Sequence, residues 1–179
     1  MVVKLINLLH SHIIPNFILK QGVRYCIYNN PPNFAIEMKT SESRYAMCLY
    51  FTSNALARKV EKLAQQSWDK VGLSPSHAYL LMIALEEPGV QPSSLAPQLQ
   101  LQPSTITRLI EKLEEKKLLV RITSGKTTSV YPTPKAKELY PKMQECLTEF
   151  TVNCNILVGK EEGQKLAQLL SKTADRINV

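Results

Sequence analysis

The sequence predicts a mainly α-helical fold carrying one short β-hairpin, on three observations. From about Thr40 apolar residues recur at helical spacing almost to the end. Only Leu118 to Tyr131 reads as strand, tight turn and returning strand. Six glycines against eleven prolines, with 7% aromatic residues and no GxGxxG or GxxxxGK[ST] string, argue against an α/β fold built on phosphate-cradling loops. At 179 residues, 44% hydrophobic and 21% charged, the chain has the material for one domain with a real core.

In order, residues 1–37 form an N-terminal arm set off at Pro31-Pro32-Asn33, and residues 38–179 form the main domain. The arm is read either as a flexible or strand-like extension or as sequence upstream of a start at Met38. Its apolar run is interrupted by Asn7, His10, Ser11, His12, Pro15 and Asn16, so it fits neither a membrane span nor a signal peptide. A long first helix is expected from the cap chemistry of Thr40-Ser41-Glu42-Ser43 to about Trp68, with Tyr45, Leu49, Leu56, Val60 and Leu63 on one face. Gly72 stops it, and Ser74-Pro75 opens a second helix that runs to about Glu87. A short third helix spans Ser93 to Gln100, capped at Ser93 or Gln91 because Pro97 is cheap only near a helix start.

Gln102-Pro103-Ser104-Thr105 opens the fourth helix, where Ile106, Leu109, Ile110 and Leu113 stand at i, i+3, i+4 and i+7. The opposite face holds Ser104, Arg108, Glu111 and Glu115, with Thr105, Thr107 and Lys112 on its shoulders. Short hydroxyls and an arginine on the first exposed turns suit a DNA major groove. A short helix, a tight turn, this helix and then a hairpin make the order of a winged helix-turn-helix. After Pro141 a stripe of Met143, Cys146, Leu147, Phe150 and Cys154, and after Gly159 Leu166, Leu169 and Leu170, predict helices that bury one side as core and interface.

Charge points the same way. Lys plus Arg exceed Asp plus Glu by 22 to 15, a net +7 that favours an acidic partner. Residues 103–137 hold eight basic side chains against Glu111, Glu114 and Glu115, so +5 of that excess is concentrated in one segment. Such a concentration fits phosphate contacts beside a groove. On these grounds Gln102, Ser104, Thr105, Thr107, Arg108, Lys112, Arg121, Lys126 and Thr127 are the candidate DNA-binding residues, with double-stranded DNA as partner.

These same residues carry a resemblance. The stretch from Leu95-Ala96 through Ser104-Thr105-Ile106-Thr107-Arg108-Leu109-Ile110 to Leu113-Glu114 resembles the helix-turn-helix of the MarR family of bacterial transcriptional regulators, and Tyr131 to Lys137 resembles its exit from the wing. The resemblance covers about residues 40–177. It implies a winged helix-turn-helix lobe over 73–137 and dimerisation helices over 40–70 and 138–178. It further implies an obligate homodimer on a near-palindromic operator, usually a repressor relieved by a small-molecule effector or by oxidation, while the scattered cysteines and the lack of an evident secretory signal are read as a reducing, cytoplasmic compartment. Three departures stand out. The wing is short, with Ser124-Gly125-Lys126 where the family carries a longer loop with an Asp-x-Arg pair, so Lys126 is the substitute contact. Gln100 and Lys117 occupy positions where the family commonly has glycine. Pro97 replaces a commonly charged residue.

The resemblance places an effector pocket among the first, second and fifth helices, for which Tyr45, Tyr50, Trp68 and Tyr79 are candidate lining residues and equally candidate core. Cys48, early in the first helix, is the candidate redox residue, although the oxidation-sensing branch of the family would place its cysteine at Ala46. Four cysteines with no CxxC spacing give no zinc set, and His10, His12 and Cys26 lie together only in the arm. No metal or other cofactor is expected. No nucleophile with its base and no HExxH is present, so the chain is not read as an enzyme. Two alternatives to a ligand-responsive repressor remain: a redox-sensing regulator through Cys48, and a winged-helix protein-interaction module without DNA binding.

Overall fold

A computed structural model describes residues 38–177, so the arm at 1–37 lies outside the described residues, with His10, His12 and Cys26. The chain divides into two compact units, Met1–Ala57 and Arg58–Val179.

In the first unit a 3-10 turn, Thr40–Glu42, closes with the Lys39 N–H donating to the Glu42 carboxylate at 3.2 Å. The expected helix does not start here. Ser43 is extended and its hydroxyl accepts the Tyr45 N–H at 3.2 Å, a local bond that competes with helix formation. Helix α1, Leu49–Trp68, therefore begins about two turns later than the cap residues suggest.

In the second unit α1 ends in a 3-10 turn, Asp69–Val71, and Gly72 terminates it in the left-handed conformation, φ 66°, as its position predicts. Helices α2 (Pro75–Glu86), α3 (Pro92–Leu99) and α4 (Pro103–Glu115) each start with proline in the first turn, where its missing N–H costs nothing. Gln91, the second of the two expected caps, precedes α3, and Pro97 is carried inside that helix. Strands β1 (Leu119–Ser124) and β2 (Thr127–Pro132) pair antiparallel from Leu119 opposite Pro132 to Ser124 opposite Thr127. That leaves a two-residue turn whose first member, Gly125, takes φ 61°, the position a tight hairpin reserves for glycine. Val130 also bridges to Val90, anchoring the wing base to the loop before α3.

Helix α5, Pro134–Val158, begins earlier than its apolar stripe suggests, because Thr133 caps it by accepting the Ala136 N–H. It continues without a break through Pro141. Helix α6, Lys160–Ala174, follows Gly159 and buries none of its residues within the chain.

The core lies between α2 and the elements around it. Leu80, Leu81, Leu95, Ile106, Ile110, Leu113, Leu119, Val130 and Met143 are all fully buried. Removing a Leu or Ile side chain of this kind from water contributes about 1.5–3 kcal/mol. The four-residue stripe of α4 is wholly inside, which fixes the face that α4 turns outward.

Candidate nucleic-acid interface

The turn between α3 and α4 reverses direction at Gln100, whose φ of 53° is left-handed, while its side-chain amide donates to the Pro97 carbonyl at 2.9 Å. Gln102 is exposed at the start of α4. Ser104, Arg108, Glu111 and Glu115 are exposed and lie on the helix face opposite Ile106, Leu109, Ile110 and Leu113. Thr107 is exposed too, though its hydroxyl donates back to the Pro103 carbonyl at 3.1 Å, and Thr105 is half-buried.

Between α4, the start of α3 and the wing lies a cleft of about 390 Å³. Thr107, Arg121, Lys126 and Thr127 all line it, so one candidate from α4 and three from the wing meet around one space. Gln91, Pro92, Ser93 and Thr128 line it as well and were not expected. Their sequence signal is faint, since only the Val90–Val130 bridge brings the start of α3 to the wing.

The eight cations of residues 103–137 are not equivalent. Lys112 pairs with Glu115 at 2.8 Å, and that carboxylate holds its ammonium above the usual lysine range. Arg121 pairs with Glu114 at 2.6 Å. Lys116 donates to the Gly72 carbonyl at 3.2 Å, and Lys135 to the Lys116 carbonyl at 3.0 Å. The Thr133 hydroxyl donates to the Lys117 carbonyl at 2.8 Å. The carbonyls of Lys116 and Lys117, just beyond α4, are thus taken up by Lys135 and Thr133 at the start of α5. Arg108, Lys117, Lys126 and Lys137 have no side-chain ion pair or hydrogen bond among the described residues.

Below this surface His77 sits with Nδ1 2.6 Å from the Ser74 hydroxyl and Nε2 buried without a partner. Burial, then Lys116 and Lys112, push its pKa below the ordinary histidine value.

The other candidates separate. Trp68 is fully buried and meets Tyr79 edge-on, with ring centroids 5.8 Å apart. Burial raises the Tyr79 phenol pKa. The Trp68 indole N–H and the neighbouring Ser67 hydroxyl are buried with no hydrogen-bond partner. Tyr45 and Tyr50 are exposed in the first unit, where Tyr45 packs on Phe51 at 5.9 Å. Cys48 is exposed and stands just before α1 rather than within its first turns. Among the described residues no three His, Cys, Asp or Glu side chains cluster to hold a metal ion, and no helix is long and apolar enough to cross a membrane.

Comparison with known proteins agrees with this geometry. Residues 73–125, from the end of the α1–α2 loop to the wing tip, match the MarR family. The HTH-type transcriptional repressor MdtR of Bacillus subtilis (strain 168) is 26% identical over 93 residues, 52% of this chain. That match spans 60% of the relative's length. The repressor CouR bound to a 23-mer DNA duplex superposes with a TM-score of 0.67 at 19% identity, covering 77% of this chain and 99% of that one. CouR from Rhodococcus jostii RHA1 bound to p-coumaroyl-CoA gives 0.64 at 19% identity over 76% and 99% of the two chains. The S. aureus MepR–DNA complex gives 0.64 at 16% identity over 73% and 98%. The MarR match thus covers α2, α3, α4 and β1, and the fold over 76% of the chain is that of a solved MarR family regulator from Rhodococcus sp. RHA1, at a TM-score of 0.64 and 19% identity.

Proposed function

We propose that the protein is a homodimeric, cytoplasmic, DNA-binding repressor. The observation that carries this reading is the outward face of α4, with Ser104 and Arg108 opposite a fully buried stripe and beside a cleft that Lys126 and Thr127 line from the wing. Gln102, Ser104, Thr105, Thr107 and Arg108 read or position the major groove. Lys126 and Thr127 hold the flanking phosphates, Arg121 stands at the cleft between them, and Lys112, at the far end of the helix, reaches DNA only by leaving Glu115. A guanidinium without an internal partner is suited to a guanine edge, whereas a wing lysine contributes sequence-independent charge.

An effector site beside Trp68 and Tyr79 is supported by the buried Ser67 hydroxyl and Trp68 N–H. Each unpartnered group costs about 1–3 kcal/mol, which a ligand acceptor would offset. CouR, bound to p-coumaroyl-CoA in one of its structures, is a neighbour that takes a small molecule.

The test compares Arg108→Ala with Lys126→Ala on DNA upstream of the protein's own coding sequence and on a random duplex of equal length. Arg108→Ala is expected to weaken specific binding by about 1–3 kcal/mol and leave random binding nearly unchanged. Lys126→Ala is expected to weaken both evenly and reduce the salt slope by about one. Equal, weak binding of the wild type to both duplexes would instead make the outward face of α4 a protein-docking surface.

A further inference from the structure

Three acids lie on α4, and they have different surroundings. Glu111 is exposed without an ion pair among the described residues, Glu115 pairs with Lys112 along the helix surface, and Glu114 reaches across to the wing. The Glu114 contact is double. One carboxylate oxygen, Oε2, is 2.6 Å from Nη2 of Arg121, and the other, Oε1, accepts the Arg121 backbone N–H at 3.1 Å. The two side chains are 35% and 26% exposed, against 61% and 63% for Lys112 and Glu115, so this pair is far less screened by water.

The backbone bond follows from the register of the hairpin. Arg121 stands opposite Val130, and Val130 turns its own N–H and carbonyl away from β1, to Val90 and Gly89. Arg121 is therefore in a non-hydrogen-bonded pair, and its N–H points outward from the open edge of β1. An edge N–H otherwise faces water or a stray strand. Glu114 occupies that edge and holds the guanidinium of the same residue.

We propose that Glu114 is a positioning residue for DNA recognition, which clamps the wing base to the last turn of the reading helix through Arg121 and withholds Arg121 from the phosphates. The proposal rests on the DNA-binding reading and goes beyond it. Specific binding requires Arg108 on a base edge and Lys126 on a phosphate at the same time, so it depends on a fixed distance between helix and wing. Random binding needs either cation alone. Linking two contacts rigidly raises the effective concentration of the second, and loosening the link removes that gain without touching either contact.

The experiment uses the full chain, the tightest duplex that the wild type recovers from a randomised pool, and a random duplex of equal length, over about 50–200 mM salt. Glu114→Gln is expected to weaken binding to the recovered duplex about tenfold, while the random duplex is held as well or better with a salt slope steeper by about 0.9, the signature of one freed cation. Arg121→Gln is expected to lose the same specific binding with the random-duplex slope unchanged. A slope shallower by about 0.9 in Arg121→Gln would make Arg121 a phosphate ligand and overturn the proposal. So would unchanged specific binding in Glu114→Gln, or a parallel loss on both duplexes that follows the thermal midpoint. If the pool yields no preferred duplex, the DNA-binding reading itself fails, and the clamp has nothing to position.

Discussion

Two non-glycine residues are left-handed among the described residues, Gln100 at φ 53° and Lys117 at φ 59°. These are the two places where comparison with the MarR pattern expects glycine, so the strain was legible from the sequence alone. The left-handed region costs an L-residue about 1–2 kcal/mol, and glycine gives back about 0.5–1 kcal/mol in unfolded-state entropy. Lys117→Gly is expected to stabilise the fold by about 0.5–1 kcal/mol. Gln100→Gly should gain less because it loses the side-chain bond to Pro97. Chemical denaturation checks both, and a lower midpoint for Lys117→Gly would show that its backbone is not strained. His77 gives a pH dependence. Its folded pKa lies below its unfolded value, so the unfolded chain takes up the proton first as pH falls. Stability is retained above about pH 6.5 and is lost as pH drops from there toward the folded pKa. His77→Gln is expected to flatten that part of the stability curve, and an unchanged curve would mean that other groups set it.

Among the elements, α4 was the most legible, because a four-residue apolar stripe on a polar helix leaves one possible orientation. The start of α1 was not, since Ser43 can cap a helix or bond its own neighbour two residues on, and only the second occurs. The start of α5 was legible in Thr133-Pro134, which repeats the Ser74-Pro75 opening of α2, but Pro141 drew the expected boundary too far along the chain. Pro141 lacks the N–H that would bond the carbonyl of Lys137, and an interior proline costs about 3 kcal/mol relative to alanine. Pro141→Ala is expected to raise the unfolding free energy by about 1–3 kcal/mol, read by thermal or denaturant melts. A loss instead would mean that the Pro141 ring itself makes packing contacts that outweigh the missing backbone bond. The helical wheel also showed which side chains of α4 face outward, yet not which cations are spoken for. That depends on where the wing folds back, and neither Glu114 nor the start of α3 could be placed against Arg121 or Lys126 without it.

At the scale of the molecule, α6 leaves Leu166, Leu169 and Leu170 uncovered, and the end of α5 exposes Ile156 and Leu157. Contiguous apolar surface of this kind marks an association face, and a second copy of the chain would bury it symmetrically. Leu169→Asp is expected to shift sedimentation toward monomer and to abolish two-site operator binding, while each lobe still binds DNA weakly. A dimer that survives the substitution would place the interface elsewhere. The carbonyls at the end of α4 have a mechanical meaning in this setting. Lys116 and Lys117 are fastened to Gly72, Thr133 and Lys135, whereas Ser104 at the other end of the helix is exposed. Because Ile106 and Leu113 tie both ends of α4 to the same core, any tilt passed on through that C-terminal end moves α4 with the core, and the twelve residues between Ser104 and Lys116 make an arm of about 18 Å. A tilt of about 10° passed on by α5 would swing Ser104 by about 3 Å, one hydrogen-bond length, enough to separate touching a base edge from missing it.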